Sequence, residues 1–380
     1  MLLIKNAYIK TMASEDIPSG SILIDDGGKI AAIGKDVTAP EGTEIIDAGG
    51  RLATPGLIEA HAHLGLGMAG EISDSNPSAS SSTTPQFRVI DAICPTYDVF
   101  KLGLSGGVTT ACIGPGSANA VAGAFVAVKL YGDCIDDMVI KDPVAMKCAF
   151  GENVKSTNSS KGRLGKTRMG IAADIRELLF KSREYLNAKE EGKDPSFNMK
   201  YEAMIPVLKR EIPLKAHAHR ADDIFTSIRI AKEFNLKLTL DHCSDGTLIA
   251  DLLAAEGYPA IVGPAFGSIS KIELAHNSYK NVPALYNAGV KLCITTDASV
   301  VPIDKLPTCA GYAVREGLPL EAAWRAITIN AAEIMGIADR VGSLEVGKDG
   351  DVVIWESDPI SDVCSSALMT LVDGKVVYER

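Results

Sequence analysis

Residues 57–63 read LIEAHAH, an apolar run that ends on two histidines two positions apart, and the turn TPG at 54–56 leads into it. Seven further runs share its apolar and β-branched character. They are GVTTACIG (107–114), AFVAVKLYG (124–132), VAMKCAFG (144–151), PLKAHAH (213–219), KLTLDHC (237–243), PAIVGP (259–264) and KLCITTD (291–297). Between several of them the period changes. ADDIFTSIRIAKEFN (221–235) places Ile and Phe at helical spacing with acids in its first turn, and LPLEAAWRAITINAAEIMG (318–336) is a second helical pattern. Strand and helix in alternation predict a parallel α/β architecture, and eight runs predict a (β/α)8 TIM barrel.

The two ends of the chain read differently. LLIKNAYIK, SILIDDGGKIAAIG and TEIIDAGGRLATPG at the start, and GSLEVGKDGDVVIWES and ALMTLVDGKVVYER at the finish, are short apolar runs joined by glycine turns. Neither end can bury an apolar face alone, so both are expected to build one discontinuous β-sandwich domain, residues 1–56 with 342–380, around a barrel at 57–341. Two Gly-, Ser- or Lys-rich insertions, 64–90 and 151–170, follow the first and fourth runs. They would emerge at the C-terminal face of a barrel, where long loops act as lids.

Composition narrows the function classes. Of 380 residues, 46% are hydrophobic and 23% charged, as in folded soluble domains, and the net charge is −10. An acidic chain is not built to bind phosphate backbones, so nucleic acid is excluded as the main partner. No apolar stretch approaches the roughly 20 residues that span a bilayer, and the start MLLIKNAYIK lacks a secretory leader pattern, so no membrane partner and a cytoplasmic location are expected. The eight cysteines form no CxxC pair and read as reduced thiols. GRLGKT (162–167) lacks the glycine that a phosphate loop requires at position 160.

The histidines carry the chemistry. There are six, at 61, 63, 217, 219, 242 and 276, and five of them close predicted strands. His61 and His63 point the same way on one strand, so both can reach one cation at about 2.0–2.1 Å. His217 and His242 end adjacent strands and converge on the same mouth. Asp297 ends the last strand, where a carboxylate is costly unless it is paired or ligated. This pattern predicts a divalent metal at the barrel mouth.

The chain resembles the metal-dependent amidohydrolase superfamily, nearest to its imidazolonepropionase-like and prolidase-like members. TPGLIEAHAH resembles that family's first strand, GGVTTA its second, ITTDAS its last, and GSLEVGKDGDVVIW its return into the small domain. The resemblance implies one or two divalent ions, usually zinc, held by His61, His63, His217, His242 and Asp297. It implies hydrolysis of a C–N bond in a small-molecule substrate, with Asp297 shuttling the proton of the attacking water. His242 and His219 complete the catalytic set. His219 is expected to touch substrate, although it and His217 can exchange roles. Binuclear relatives place a bridging carboxylate at the fourth strand. Among Glu152, Lys147 and Lys155, Glu152 follows the strand end directly and is the expected ligand. Asn119 is a candidate substrate contact, and His276 reads equally as a solvated helix residue. Deamination of a nitrogen heterocycle and a non-catalytic scaffold are the competing readings, and such barrels are commonly homo-oligomers.

Overall fold

The computed structural model describes residues 1–67, 72–76, 81–163, 165–266 and 269–380. Its strands begin with β1 (Leu2–Ile9), β2 (Ile17–Ile24), β3 (Ile30–Gly34), β4 (Glu44–Asp47) and β5 (Leu52–Pro55). The central strands are β6 (Leu57–Ala62), β7 (Val108–Ile113), β8 (Val121–Lys129), β9 (Val139–Ala149), β10 (Leu214–Ala218), β11 (Leu238–His242), β12 (Ala260–Val262) and β13 (Leu292–Ile294). β14 (Val352–Trp355), β15 (Ala367–Val372) and β16 (Lys375–Glu379) close the chain.

All eight apolar runs are strands of one sheet. β6 to β13 hydrogen-bond in chain order into a nearly closed barrel. Every residue of β6, β7, β10 and β11 is buried. That is the pattern of strands covered on both faces, here by the barrel's own interior and by outer helices such as Ala221–Phe234. Among the described residues no ladder joins the end strands β13 and β6. Side chains stitch that seam instead. The Glu59 carboxylate on β6 accepts hydrogen bonds from Thr295 Oγ1, Thr296 Oγ1 and Thr296 N, which follow β13.

The expected uniform alternation fails at one strand. β8 runs antiparallel to both β7 and β9. Only residues 114–120 connect β7 to β8, and a parallel crossover needs a dozen residues or more. The reversal carries the C-terminal residue of β8, Lys129, to the barrel end away from the mouth. There it is buried against Asp349, Asp351 and Asp373, at 2.9, 2.6 and 3.2 Å.

The chain ends share a second sheet in the order β16-β15-β14-β5-β1-β2-β3, with β4 paired to β1. β14 joins β5 antiparallel, which brings the two ends together. Of the two insertions expected over the mouth, residues 68–71, 77–80 and 164 lie outside the described residues. The described part of the first runs beside β8, with Thr84 N bonded to Val121 O and Ala124 N to Phe87 O. The second forms helix Glu152–Ser160. Among the described residues no helix is long and apolar enough to cross a membrane.

Candidate metal centre

Alternation along β6 sends Glu59, His61 and His63 to one side. The His61 and His63 rings meet edge to face, with centroids 5.3 Å apart. Asp297, beyond the end of β13, brings Oδ1 within 3.3 Å of His63 Nε2 and 3.8 Å of His61 Nε2. Across the mouth, His217 and His219 from the end of β10 and His242 from β11 form a second group, with ring centroids 4.5–4.9 Å apart. The groups adjoin, since the centroids of His61 and His242 are 5.1 Å apart. In each group, one ligand atom per residue lies within 4.8 Å of the others. Non-glycine residues seldom take a positive φ, yet His242 (φ 79°) and Asp297 (φ 50°) both do. Such backbone persists where the surroundings impose it, and it clusters at functional sites.

Backbone and side-chain partners orient the rings. His63 Nδ1 is 2.6 Å from Gly114 O, and His242 Nδ1 is 2.7 Å from Gly263 O. A carbonyl can only accept, so these nitrogens carry the proton, and the neutral His242 ring keeps a bare Nε2. His219 Nδ1 pairs with Ser244 Oγ at 2.8 Å. Three polar atoms of the two groups are buried with no hydrogen-bond partner: His217 Nδ1, His242 Nε2 and Asp297 Oδ1. Each such atom costs about 1–3 kcal/mol if nothing meets it. A divalent cation is the species that suits two imidazole lone pairs and a carboxylate oxygen together, so these residues fit a metal ion.

The electrostatics agree. Burial pushes the basicity of His61, His217 and His219 well below that of free imidazole, and that of His242 below it, so all four rings are neutral near pH 7. Burial alone would raise the Asp297 carboxyl. The neighbouring His63 and His242 imidazoles and the Lys147 ammonium outweigh it and hold the group below the ordinary carboxylate range.

Glu152, the expected fourth-strand ligand, is in neither metal-capable group among the described residues. Glu152 opens helix Glu152–Ser160, and its carboxylate pairs with Lys155 Nζ (2.7 Å) and Arg168 Nη1 (3.2 Å). Lys155 is thereby engaged as well. Lys147 stands at the centre instead. It is fully buried on β9, and its Nζ is 3.0 Å from His61 Nε2. Its charge bears on His61, His217, His219, His242 and Asp297 alike. Burial pulls the Lys147 ammonium down to about 8 against the opposing pull of Asp241 and Asp297. Asn119 is buried, with its amide held by Thr84 Oγ1 (2.8 Å) and Arg163 Nη1 (2.9 Å). His276 is exposed and paired with Asp245 at 2.8 Å, outside both groups. Sequence reasoning passed over Glu59, Lys215 and Asp241. Their common signal was legible, because each is a charged residue at an inward position of a fully buried strand, where it must have a partner.

An amidohydrolase from Thermotoga maritima has a solved structure that superposes on the whole chain, with a TM-score of 0.95, 35% sequence identity and 100% of each chain covered. The chain belongs to the amidohydrolase superfamily. A model of the amidohydrolase family matches residues 206–378, from the helix before β10 to the last strand. Among curated relatives, this amidohydrolase chain is 26% identical to amidohydrolase tasK of Hapsidospora irregularis over 95% of its own length, and 30% identical to an imidazolonepropionase of Maricaulis maris over 40%. It spans 40% and 37% of the lengths of those two proteins.

Proposed function

We propose that the chain is a metal-dependent hydrolase that cleaves a C–N bond in a small molecule, either an amide, a cyclic amide or a dipeptide-like bond. One observation carries this reading: two groups of metal-capable side chains adjoin at one barrel mouth, with three buried ligand atoms otherwise unpartnered. His61, His63 and Asp297 would hold one ion, and His217, His219 and His242 a second. The imidazole-rich set favours zinc. Lys147, whose Nζ is 3.0 Å from His61 Nε2, would bridge the two ions. Its amine can add to carbon dioxide with loss of a proton, giving a carbamate with two oxygens.

A divalent ion bound here supplies Lewis-acid polarisation of a carbonyl and a water whose pKa falls to about 7. The chain's own residues do the rest. The Asp297 carboxylate accepts the proton of the attacking water and returns it to the leaving nitrogen. His63 Nε2 lies 3.3 Å from Asp297 Oδ1, so the two would share one ion. His242 and His219 line the opposite side of the mouth, where the carbonyl oxygen gains charge. His219 is held upright there by Ser244 Oγ, which in turn donates to Asn277 Oδ1.

The test is hydrolysis across a panel of N-acyl amino acids, lactams and dipeptides, before and after chelation. We expect activity to vanish in the metal-stripped protein and to return with zinc. Asp297→Asn should lower kcat by roughly 10²–10⁴-fold. Full activity in the stripped protein would end the proposal.

A further inference from the structure

Among the five gathered histidines, His61 alone sets its Nδ1 against a carboxylate. Asp241 Oδ2 is 2.8 Å away. Asp241 belongs to β11 and is in neither metal-capable group among the described residues. Its Oδ1 accepts from Thr239 Oγ1 at 3.2 Å, and both its oxygens lie 3.2–3.3 Å from Lys215 Nζ. His61, Lys215 and Asp241 are fully buried inside the barrel. Strand register sets this arrangement: Lys215 on β10 lies opposite Thr239 on one side and Lys147 on the other, and Asp241 lies opposite His217. The Lys215 ammonium also sits 5.3 Å from the centre of the Phe125 ring.

A buried carboxylate next to an imidazole fixes which nitrogen carries the proton and makes the other a stronger donor to a metal. A buried carboxylate is itself costly unless a cation compensates it, and Lys215 does so. On the far edge of the ring, Lys147 Nζ meets His61 Nε2 at 3.0 Å, which suits a bare Nε2. We propose that Lys215 and Asp241 form a buried positioning pair that locks His61 in its Nδ1–H tautomer and so presents the Nε2 lone pair to the metal. The pair touches neither substrate nor metal. The proposal rests on the metal-dependent reading given above.

The experiment uses the full chain stripped of metal. It measures zinc affinity by competition with a chromophoric chelator, and the His61 tautomer by ¹⁵N chemical shifts of the imidazole nitrogens. Asp241→Asn should weaken zinc binding roughly 10–100-fold. Because that variant leaves Lys215 unpaired and can fail to fold, the neutral double variant Lys215→Met/Asp241→Asn is measured beside it. It should fold and show the same loss of zinc affinity at a Tm close to that of the parent. A core salt bridge with no role at the metal would move Tm and leave zinc affinity in place. Wild-type zinc affinity in the double variant, or a proton on Nε2 of His61 in the parent, overturns the proposal. A parent that takes up no zinc under any condition overturns the hydrolase reading together with it.

Discussion

At the scale of single residues, Lys147 and Glu152 separate what a strand pattern reveals from what it hides. The paired histidines were legible because side chains two apart on a strand share a face, so HAH near a strand end already fixes a common direction. The fourth-strand group was not. Proximity to the strand end favoured Glu152, yet depth in the barrel matters as well. Lys147 starts deeper, on β9, and its Nζ reaches His61 Nε2, whereas Glu152 has already left the strand and entered a helix. The two residues therefore give opposite expectations. If the centre holds two ions, Lys147→Met should reduce bound metal from two equivalents to one, and Glu152→Gln should leave it unchanged. Elemental analysis of the purified variants decides, and metal loss confined to the Glu152 variant would reverse the assignment. The Glu152 pairs with Lys155 and Arg168 are partly solvated, so their loss should cost stability no more than about 1 kcal/mol.

At the scale of elements, all eight barrel strands were readable from their composition, and the direction of β8 was readable in principle from the length of the segment before it. The packing between loops was not, because it depends on partners far apart in sequence. The segment after β12 reaches across to the one after β9, where Glu273 Oε2 accepts from Glu152 N at 2.8 Å. Gly151 is needed at that contact. Its φ is +83°, and a Cβ there would stand 2.5 Å from Glu273 Oε2 and 3.2 Å from Asp223 Oδ2. Asp223 lies in the first turn of helix Ala221–Phe234, where the helix dipole favours a negative charge, and Arg168 Nε pairs with it at 3.0 Å. Burial, with repulsion from Asp222 and Glu273, nevertheless wins and lifts its carboxyl to about 6. An acid raised in the folded state keeps its proton after the unfolded chain has lost it. Its contribution to stability is therefore complete below the ordinary carboxyl value of 3.8 and is lost as pH rises toward 6. Replacing Asp223 with Asn removes that loss, so the variant should gain stability relative to the parent between about pH 4 and pH 6. Paired urea titrations at pH 4.5 and 6.5 would show it, and a gap that narrows with rising pH would contradict it.

At the scale of the whole molecule, the reversal of β8 joins the sheet of the chain ends to the barrel. Had that strand run parallel, Lys129 would stand at the mouth. Reversed, it is buried at the opposite end among Asp349, Asp351 and Asp373, all from the C-terminal part of the chain. Asp349 is further paired with Lys29 from the N-terminal part and with Arg340. One buried ammonium thus ties both chain ends to the barrel wall, a link between distant segments that no local pattern in the sequence could announce. Removing it leaves carboxylates without compensation in a dry environment, which is worse than never having had the pair. We expect Lys129→Met to lower unfolding stability by about 3–5 kcal/mol. Metal content and kcat should be unaffected where the protein is still folded, because the mouth lies at the other end of the strands. Adding Asp351→Asn should recover part of the loss, since it withdraws the carboxylate nearest to Lys129. Denaturant unfolding of the three proteins at one pH, with zinc content measured on each, tests the chain of reasoning. A Lys129→Met protein within 1 kcal/mol of the parent would mean that the apolar contact between the two sheets, and not this charge cluster, holds the ends in place.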